Sequence, residues 1–465
     1  MSESDGFWRS VWQAIRGDEH VDFTAVSLER AVLLLAIPMV LEMMMESLFA
    51  VSDVFWVSRL GKDAIAVVGL NESIMTLIYA VAIGIAFAAT ATVARRIGEK
   101  RPADASRAAG QVFMLGLTLA AGIGVIGAWS AGRMLQAMGA DAHVVAVGTT
   151  FSRIMLGGNV TVFMIFVLNA VFRGAGDAVI AMRTLWLANF LNIVLGPCFI
   201  FGVGPFPRMG IAGAAVATNV GRGIGVLFQI WHLTGRSKRL RVHLADLRPD
   251  WPVLTGLLKT SGNGILQFLI NTTSWVILFK ILARFGSTPL AGYTVAMRLI
   301  MFALMPAWGL ANAGAALVGQ NLGAKQPDRA EASVNIALRF NAIALTVAGL
   351  AYIVFGHFLV GFFTTDPGVY AEGVRALWIV SLAFPLYAVG MCLGGAFNGA
   401  GDTWTPTKLN FFCFWLGETP IAWILARVVG LGPTGVYIAV PVSFTMLTIW
   451  TWVLFRRGNW KLQRV

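Results

Sequence analysis

The chain has 465 residues, 57% of them hydrophobic and 12% charged, with a net charge of +12. Soluble domains carry about 25% charged residues, so a soluble globular enzyme and a disordered chain are both excluded. At about 20 apolar residues per membrane-spanning helix, there is room for about a dozen spans.

Residues 1–30 are polar and show no signal-peptide pattern. Phe7, Trp8, Trp12 and Ile15, interleaved with Arg9 and Arg16, fit either a short helix lying on the membrane surface or a frayed tail. Twelve apolar segments follow, at 31–57, 64–94, 108–131, 143–172, 178–203, 211–234, 253–283, 289–318, 333–361, 369–398, 406–428 and 434–455. They are long and continuously apolar, whereas barrel strands alternate over about ten residues. An all-α integral membrane protein is therefore expected.

The loops predict the orientation. Twenty Lys and Arg follow the even-numbered spans or lie in the tail, among them Arg95, Arg96, Arg173, Lys238, Arg239, Lys325 and Arg464. Six (Arg59, Lys62, Arg133, Arg208, Arg284, Arg427) follow odd-numbered ones. By the positive-inside rule both termini are cytoplasmic. The basic excess thus serves topology, and a nucleic-acid partner is discarded.

The sequence also repeats. Residues 59–108 align without a gap onto 284–333, matching Arg59 with Arg284, Gly61 with Gly286, Gly84 with Gly309, Gly98 with Gly323, Lys100 with Lys325 and Pro102 with Pro327. The same offset of 225 places Gly174-Ala175-Gly176-Asp177 on Gly399-Ala400-Gly401-Asp402. The expected organisation is a cytoplasmic segment (1–30), an N-lobe of six spans (31–234), a basic linker (235–252), a C-lobe of six spans (253–455) and a tail (456–465). Six spans per half gives both halves the same orientation, a parallel repeat suited to two bundles rocking about a central cavity.

Charge inside a span is costly and calls for a function. Glu42, Glu46 and Asp53 of the first span fall within about 40° of one another around a helix. That stripe must face a polar interior, and its confined carboxylates suit reversible proton binding. Weaker candidates are Glu72 and Arg298, which could face each other across the pseudo-axis, and Glu418 just before Pro420. Asn192, with Asn189 one turn earlier, could supply an amide to the N-lobe, and Tyr293, Trp308 and Tyr387 could line a cavity. Cys198, Cys392 and Cys413 lack metal-ligand spacing. With no G-x-x-x-x-G-K-[ST] loop, any pumping draws on an ion gradient and not on ATP bound at such a loop.

Several motifs together resemble the multidrug and toxic compound extrusion (MATE) family across roughly residues 30–455. They are Val318-Gly319-Gln320-Asn321-Leu322-Gly323-Ala324-Lys325, Arg173-Gly174-Ala175-Gly176-Asp177, Asn398-Gly399-Ala400-Gly401-Asp402, and the first span running from Pro38 to Ser52-Asp53-Val54-Phe55-Trp56 and on to Gly61. The resemblance implies two six-helix bundles in a V around a central cavity. It further implies efflux of organic, often cationic, compounds against inward H+ or Na+, with no enzymatic activity and no cofactor. Asp53 matches the family's cation-coupling aspartate, Pro38 the proline that bends its helix, and Asn192 an asparagine of the N-lobe cation site. Na+ at Asp53 and Asn192 is the metal candidate. Two departures favour H+: Gly196 stands where some members carry an aspartate, and the seventh span has no acid, with Ile270 near the position of a glutamate. Glu42 and Glu46 are expected to supply part of that acidity. The implied partners are small organic substrates and the lipid bilayer, for a monomer in the bacterial inner membrane. The alternative is a flippase of lipid-linked saccharides on the same two-bundle plan. It would need converging arginines, whereas Arg153, Arg222, Arg298 and Arg375 are scattered.

Overall fold

The computed structural model describes residues 11–17, 21–236 and 239–463. Phe7, Trp8, Arg9, Lys238 and Arg464 of the reading above lie outside the described residues. The described chain is helical, with no strand. Its spans are α1 Leu28–Ser58, α2 Lys62–Gly98, α3 Pro102–Ala137, α4 Ala142–Ala175, α5 Ala178–Phe201, α6 Ile211–Gly235, α7 Trp251–Ala283, α8 Ser287–Gly323, α9 Pro327–Gly361, α10 Pro367–Ser381 with Phe384–Ala400, α11 Trp404–Val428 and α12 Pro433–Arg457. The expected segments each fall on one of these; α2, α3 and α8 extend several residues beyond the apolar runs, whereas α5 ends at Phe201, short of the expected 203.

α6 ends in a π-helical turn, His232–Arg236, and three further spans depart from uniform helix for local reasons. α10 bends by 53° between Ser381 and Phe384. Pro385 there lacks an N–H and its ring displaces the carbonyl four residues back. α4 changes at Gly157-Gly158, where a Cβ on Gly158 would meet the Asn219 side chain of α6 at 2.3 Å. α11 is π-helical over Phe411–Glu418 and Ile424–Val428, on either side of Pro420. α1, by contrast, runs helical across Pro38 without interruption.

The repeat extends to backbone torsions. Gly61 and Gly286 have φ of 101° and 107°, Gly176 and Gly401 have 86° and 89°, and Gly210 and Gly432 have 57° and 58°. Lys100 and Lys325 share the left-handed region at 58° and 59°, in the turns that end α2 and α8. Pro102 and Pro327 then open the next helix, where a missing N–H costs nothing.

Each half buries its own apolar core. One cluster is built on α2, α3 and α4, and the other on α8, α10, α11 and α12. The halves meet through α1 against α8, α2 against α7, and α2 against α8. Small residues permit these crossings. A Cβ on Gly309 would lie 2.7 Å from the Met39 carbonyl, and one on Gly84 would lie 2.6 Å from the Ile265 nitrogen. A Cβ on Gly98 would meet the Gln320 carbonyl oxygen at 1.9 Å, and one on Gly323 the Arg95 carbonyl oxygen at 2.2 Å. Among the described residues, the hydrogen bonds between the bundles lie at this same end. Gln320 donates to the Gly174 carbonyl at 2.9 Å, and Arg95 donates to the Ala400 carbonyl at 3.4 Å. The contacts thus gather at the face carrying the basic loops, and the V opens at the other.

Two segments outside the spans seal that seam. Residues 21–26 are held by Arg239, which donates to the Val21 carbonyl at 2.7 Å, and by Arg329 of α9, which donates to the carbonyls of Phe23 and Val26. Beyond α12, Trp460 is fully buried and the Gln463 carbonyl accepts from Arg95 at 2.7 Å. Nearer the start, residues 11–16 are helical, with Ala14 buried and Trp12 exposed.

Gly98→Ala places a methyl on the α8 backbone, and overpacking of this kind costs about 1–3 kcal/mol. Its thermal unfolding midpoint is expected to fall by several degrees. That of Gly122→Ala, whose Cβ enters open space, is expected to stay within a degree of wild type. Equal midpoints for both variants would contradict the close backbone crossing.

Candidate functional site

The acidic stripe of α1 faces the interior of the first bundle. Glu42 is fully buried. Its Oε1 accepts from Asn169 Nδ2 at 2.9 Å and from Arg173 Nη1 at 2.9 Å, both on α4. Gln229 of α6 donates to Asn169 Oδ1 at 2.5 Å, which turns the Asn169 amide so that its NH2 points at Glu42. One turn along, Glu46 Oε1 accepts from Arg222 Nη2 of α6 at 2.7 Å, and Oε2 accepts from Asn189 Nδ2 of α5 at 3.0 Å. The Arg222 guanidinium, 2% exposed, also lies 5.0 Å from the Phe49 ring centroid. A weakly hydrated planar cation tolerates such an aromatic setting better than an ammonium would.

Asp53 is different. It is half-buried and makes no hydrogen bond or ion pair among the described residues. It stands in the field of Glu72 and Arg222. Asn192, 5% exposed, donates its amide to Thr218 Oγ1 of α6 at 2.8 Å. Three carboxylates on the stripe therefore face two guanidiniums, leaving one negative charge unmatched, and Asp53 carries it. Glu72 and Arg298 are both exposed and interact through their charges, but form no ion pair among the described residues. Arg298 lines a cavity at the N-terminal end of α8 with Ser287, Thr294 and Phe363.

The remaining sequence candidates separate. Trp308 is 40% exposed, whereas Tyr293 and Tyr387 belong to the buried core of the second bundle. Glu418 is fully buried there, bonded to Ser274 and remote from the α1 stripe. Arg153 is exposed, and Arg375 pairs with Glu372 at 2.7 Å, so the arginines within spans do not converge.

The partners of the stripe are what sequence reasoning missed. Arg173 was counted among the basic loop residues, yet its side chain is 10% exposed and turned into the bundle. The repeat held the clue. At the offset of 225, Glu42 corresponds to Gln267 and Arg173 to Asn398. The half with the acid has the base, and the half without either has amides at both places.

A family model described as MatE matches residues 38–198 and again residues 264–424. The probable multidrug resistance protein NorM of Thermotoga maritima is 25% identical over 435 residues, covering 93% of each chain. An FAD transporter of Shewanella oneidensis is 23% identical over 431 residues, covering 92% of this chain and 94% of that one. Among solved structures, a MATE in complex with MaL6 superposes with a TM-score of 0.88 at 26% identity, over 98% of this chain and 100% of the other. An outward-facing MATE family transporter of the MOP superfamily gives 0.88 at 26%, over 97% and 98%.

Arg222→Met leaves the half-buried Glu46 with an amide alone. Breaking a buried pair this way costs about 3–5 kcal/mol, while replacing both partners is close to neutral. Thermal unfolding is expected to show a large loss for Arg222→Met and recovery of most of it in the Glu46→Gln/Arg222→Met double variant. A double variant no more stable than the single one would contradict the pairing.

Proposed function

The chain belongs to the MATE family of multi-pass membrane transporters, and on that premise we propose that it exports organic, often cationic, compounds by secondary active exchange for H+. The names of relatives such as the Thermotoga NorM support multidrug efflux. The observation that carries the coupling is the unmatched charge at Asp53. Glu42 and Glu46 each have a guanidinium partner, so one monovalent cation on Asp53 completes neutrality of the α1 stripe. A proton does so without a coordination shell, and Asn192, the one amide assigned to a Na+ shell, is engaged with Thr218. The paired Glu42 and Glu46 hold the lattice of α1, α4, α5 and α6 in place while Asp53 titrates.

The cycle follows from the shape. With the V closed on the basic face, an external proton reaches Asp53 from the open side and removes the charge that retains a cationic substrate. With the seam open, the deprotonated site attracts the next cation. The basic face is assigned to the cytoplasm of a bacterial inner membrane, with both chain ends on that side and the monomer as the working unit. The scattered arginines disfavour the flippase reading, whose substrates carry phosphates.

In proteoliposomes, a pH jump is expected to drive accumulation of a fluorescent organic cation, and Asp53→Asn to reduce the rate at least tenfold while the unfolding midpoint changes little. Transport driven by a Na+ gradient alone would overturn the choice of ion, and full activity of Asp53→Asn would overturn the role of the residue.

A further inference from the structure

The second bundle holds a buried acid that the coupling scheme above does not use. Both bundles repeat one lateral bond. Trp186 of α5 donates its indole N–H to the Leu41 carbonyl of α1 at 3.1 Å, and Trp415 of α11 donates to the Ile270 carbonyl of α7 at 3.1 Å. Three residues beyond each tryptophan, toward the same neighbour, stand Asn189 and Glu418. Asn189 reaches Glu46 on α1, while Glu418 reaches Ser274 on α7. The arrangement is thus inverted: the first bundle places its acid on α1 and the amide on α5, and the second places its acid on α11 and a hydroxyl on α7.

From this geometry we propose that Glu418 and Ser274 form a proton-binding site of the second bundle, occupied in the conformation closed at the basic face. Glu418 and Ser274 are both fully buried. Glu418 Oε2 lies 2.5 Å from Ser274 Oγ, and Oε1 is buried with no hydrogen-bond partner. The groups facing Glu418 are neutral: Ser274 on α7, Tyr293 on α8, Tyr387 on α10, and on α12 Phe444, which stacks on Tyr387. Tyr437 of α12 stacks on Tyr293 and donates to Glu372 at 3.0 Å. The bases of this half are engaged or turned away. Lys280 is exposed, Arg375 pairs with Glu372, and Arg427 lies over Phe285. An ionised carboxylate here would be a buried charge without a counter-charge, which costs several kcal/mol.

Ser274 Oγ lies 2.5 Å from Glu418 Oε2 and 3.4 Å from the Phe414 carbonyl. That carbonyl already accepts from Thr419 Oγ1 at 3.3 Å, so Ser274 is engaged chiefly with Glu418 Oε2, and Oε1 is the buried oxygen left to carry the proton. The Phe414 carbonyl sits in the π-helical stretch of α11, where it also accepts from the N–H of Thr419 five residues on. Loss of the proton therefore requires α7 and α11 to part and admit water or a cation. This ties proton release to rearrangement of the second bundle. The use of that proton in transport rests on the proposed exchange; its presence on Glu418 does not.

The test is infrared difference spectroscopy of the full-length protein in lipid, read as the carbonyl stretch of protonated carboxylic acids and perturbed by pH and by Na+ separately. A band is expected that Glu418→Gln removes and Asp53→Asn retains. Ser274→Ala, which keeps the acid, is expected to shift that band, and it carries the test alone if Glu418→Gln does not fold. A spectrum from which Glu418→Gln removes no band, a Glu418-dependent band unmoved by Ser274→Ala, or bleaching of that band by Na+ at fixed pH would each overturn the site. If the band behaves as expected but a pH jump drives no transport, the exchange reading fails and the proton site stands.

Discussion

In a hydrocarbon interior every charge needs an opposite charge or a proton, and the first bundle is built around that requirement. Glu42 and Glu46 lie one turn apart on α1 and are matched by Arg173 of α4 and Arg222 of α6. These two bonds join helices separated by more than a hundred residues and fix how α1 is rotated. The same rotation leaves Asp53 on the stripe with no guanidinium of its own. The site is therefore a remainder, defined by charges satisfied around it as much as by the residue itself.

The two halves share a backbone and differ in their electrostatics. Torsions agree within a few degrees at equivalent turns, and equivalent glycines make equivalent crossings, Gly174 on Thr90 and Gly399 on Ala315. Yet the acid–base pair of the first half is replaced by Gln267 and Asn398 in the second, whose buried acid sits on α11 instead. Duplication preserved the backbone while the polar interiors diverged, so the two bundles hold their buried acids against different partners.

The number of spans, the parallel repeat and the α1 stripe were all legible in the sequence, because each depends on local periodicity or on a fixed offset. Helical geometry alone puts Glu42, Glu46 and Asp53 together. The partners were not legible, because Asn169 and Arg173 are 127 and 131 residues from Glu42 and their approach is decided by packing. Arg173 was hidden by its position in the last turn of a helix, where a base reads as a loop charge. The bend in α10 was missed for a related reason: Pro385 lies inside a continuously apolar run, and hydropathy does not register a lost N–H.

The segments flanking the twelve helices also take part in closure. Residues 21–26 are gripped by Arg239 and by Arg329 of α9, and Gln463 is held by Arg95 of the opposite half while Trp460 anchors the strand of chain between. Both flanks thus act as clasps across the seam between the bundles. Parting of the bundles at the basic face would break these contacts. A reporter group placed beside either clasp would register the state of the transporter from outside the membrane, without touching the cavity.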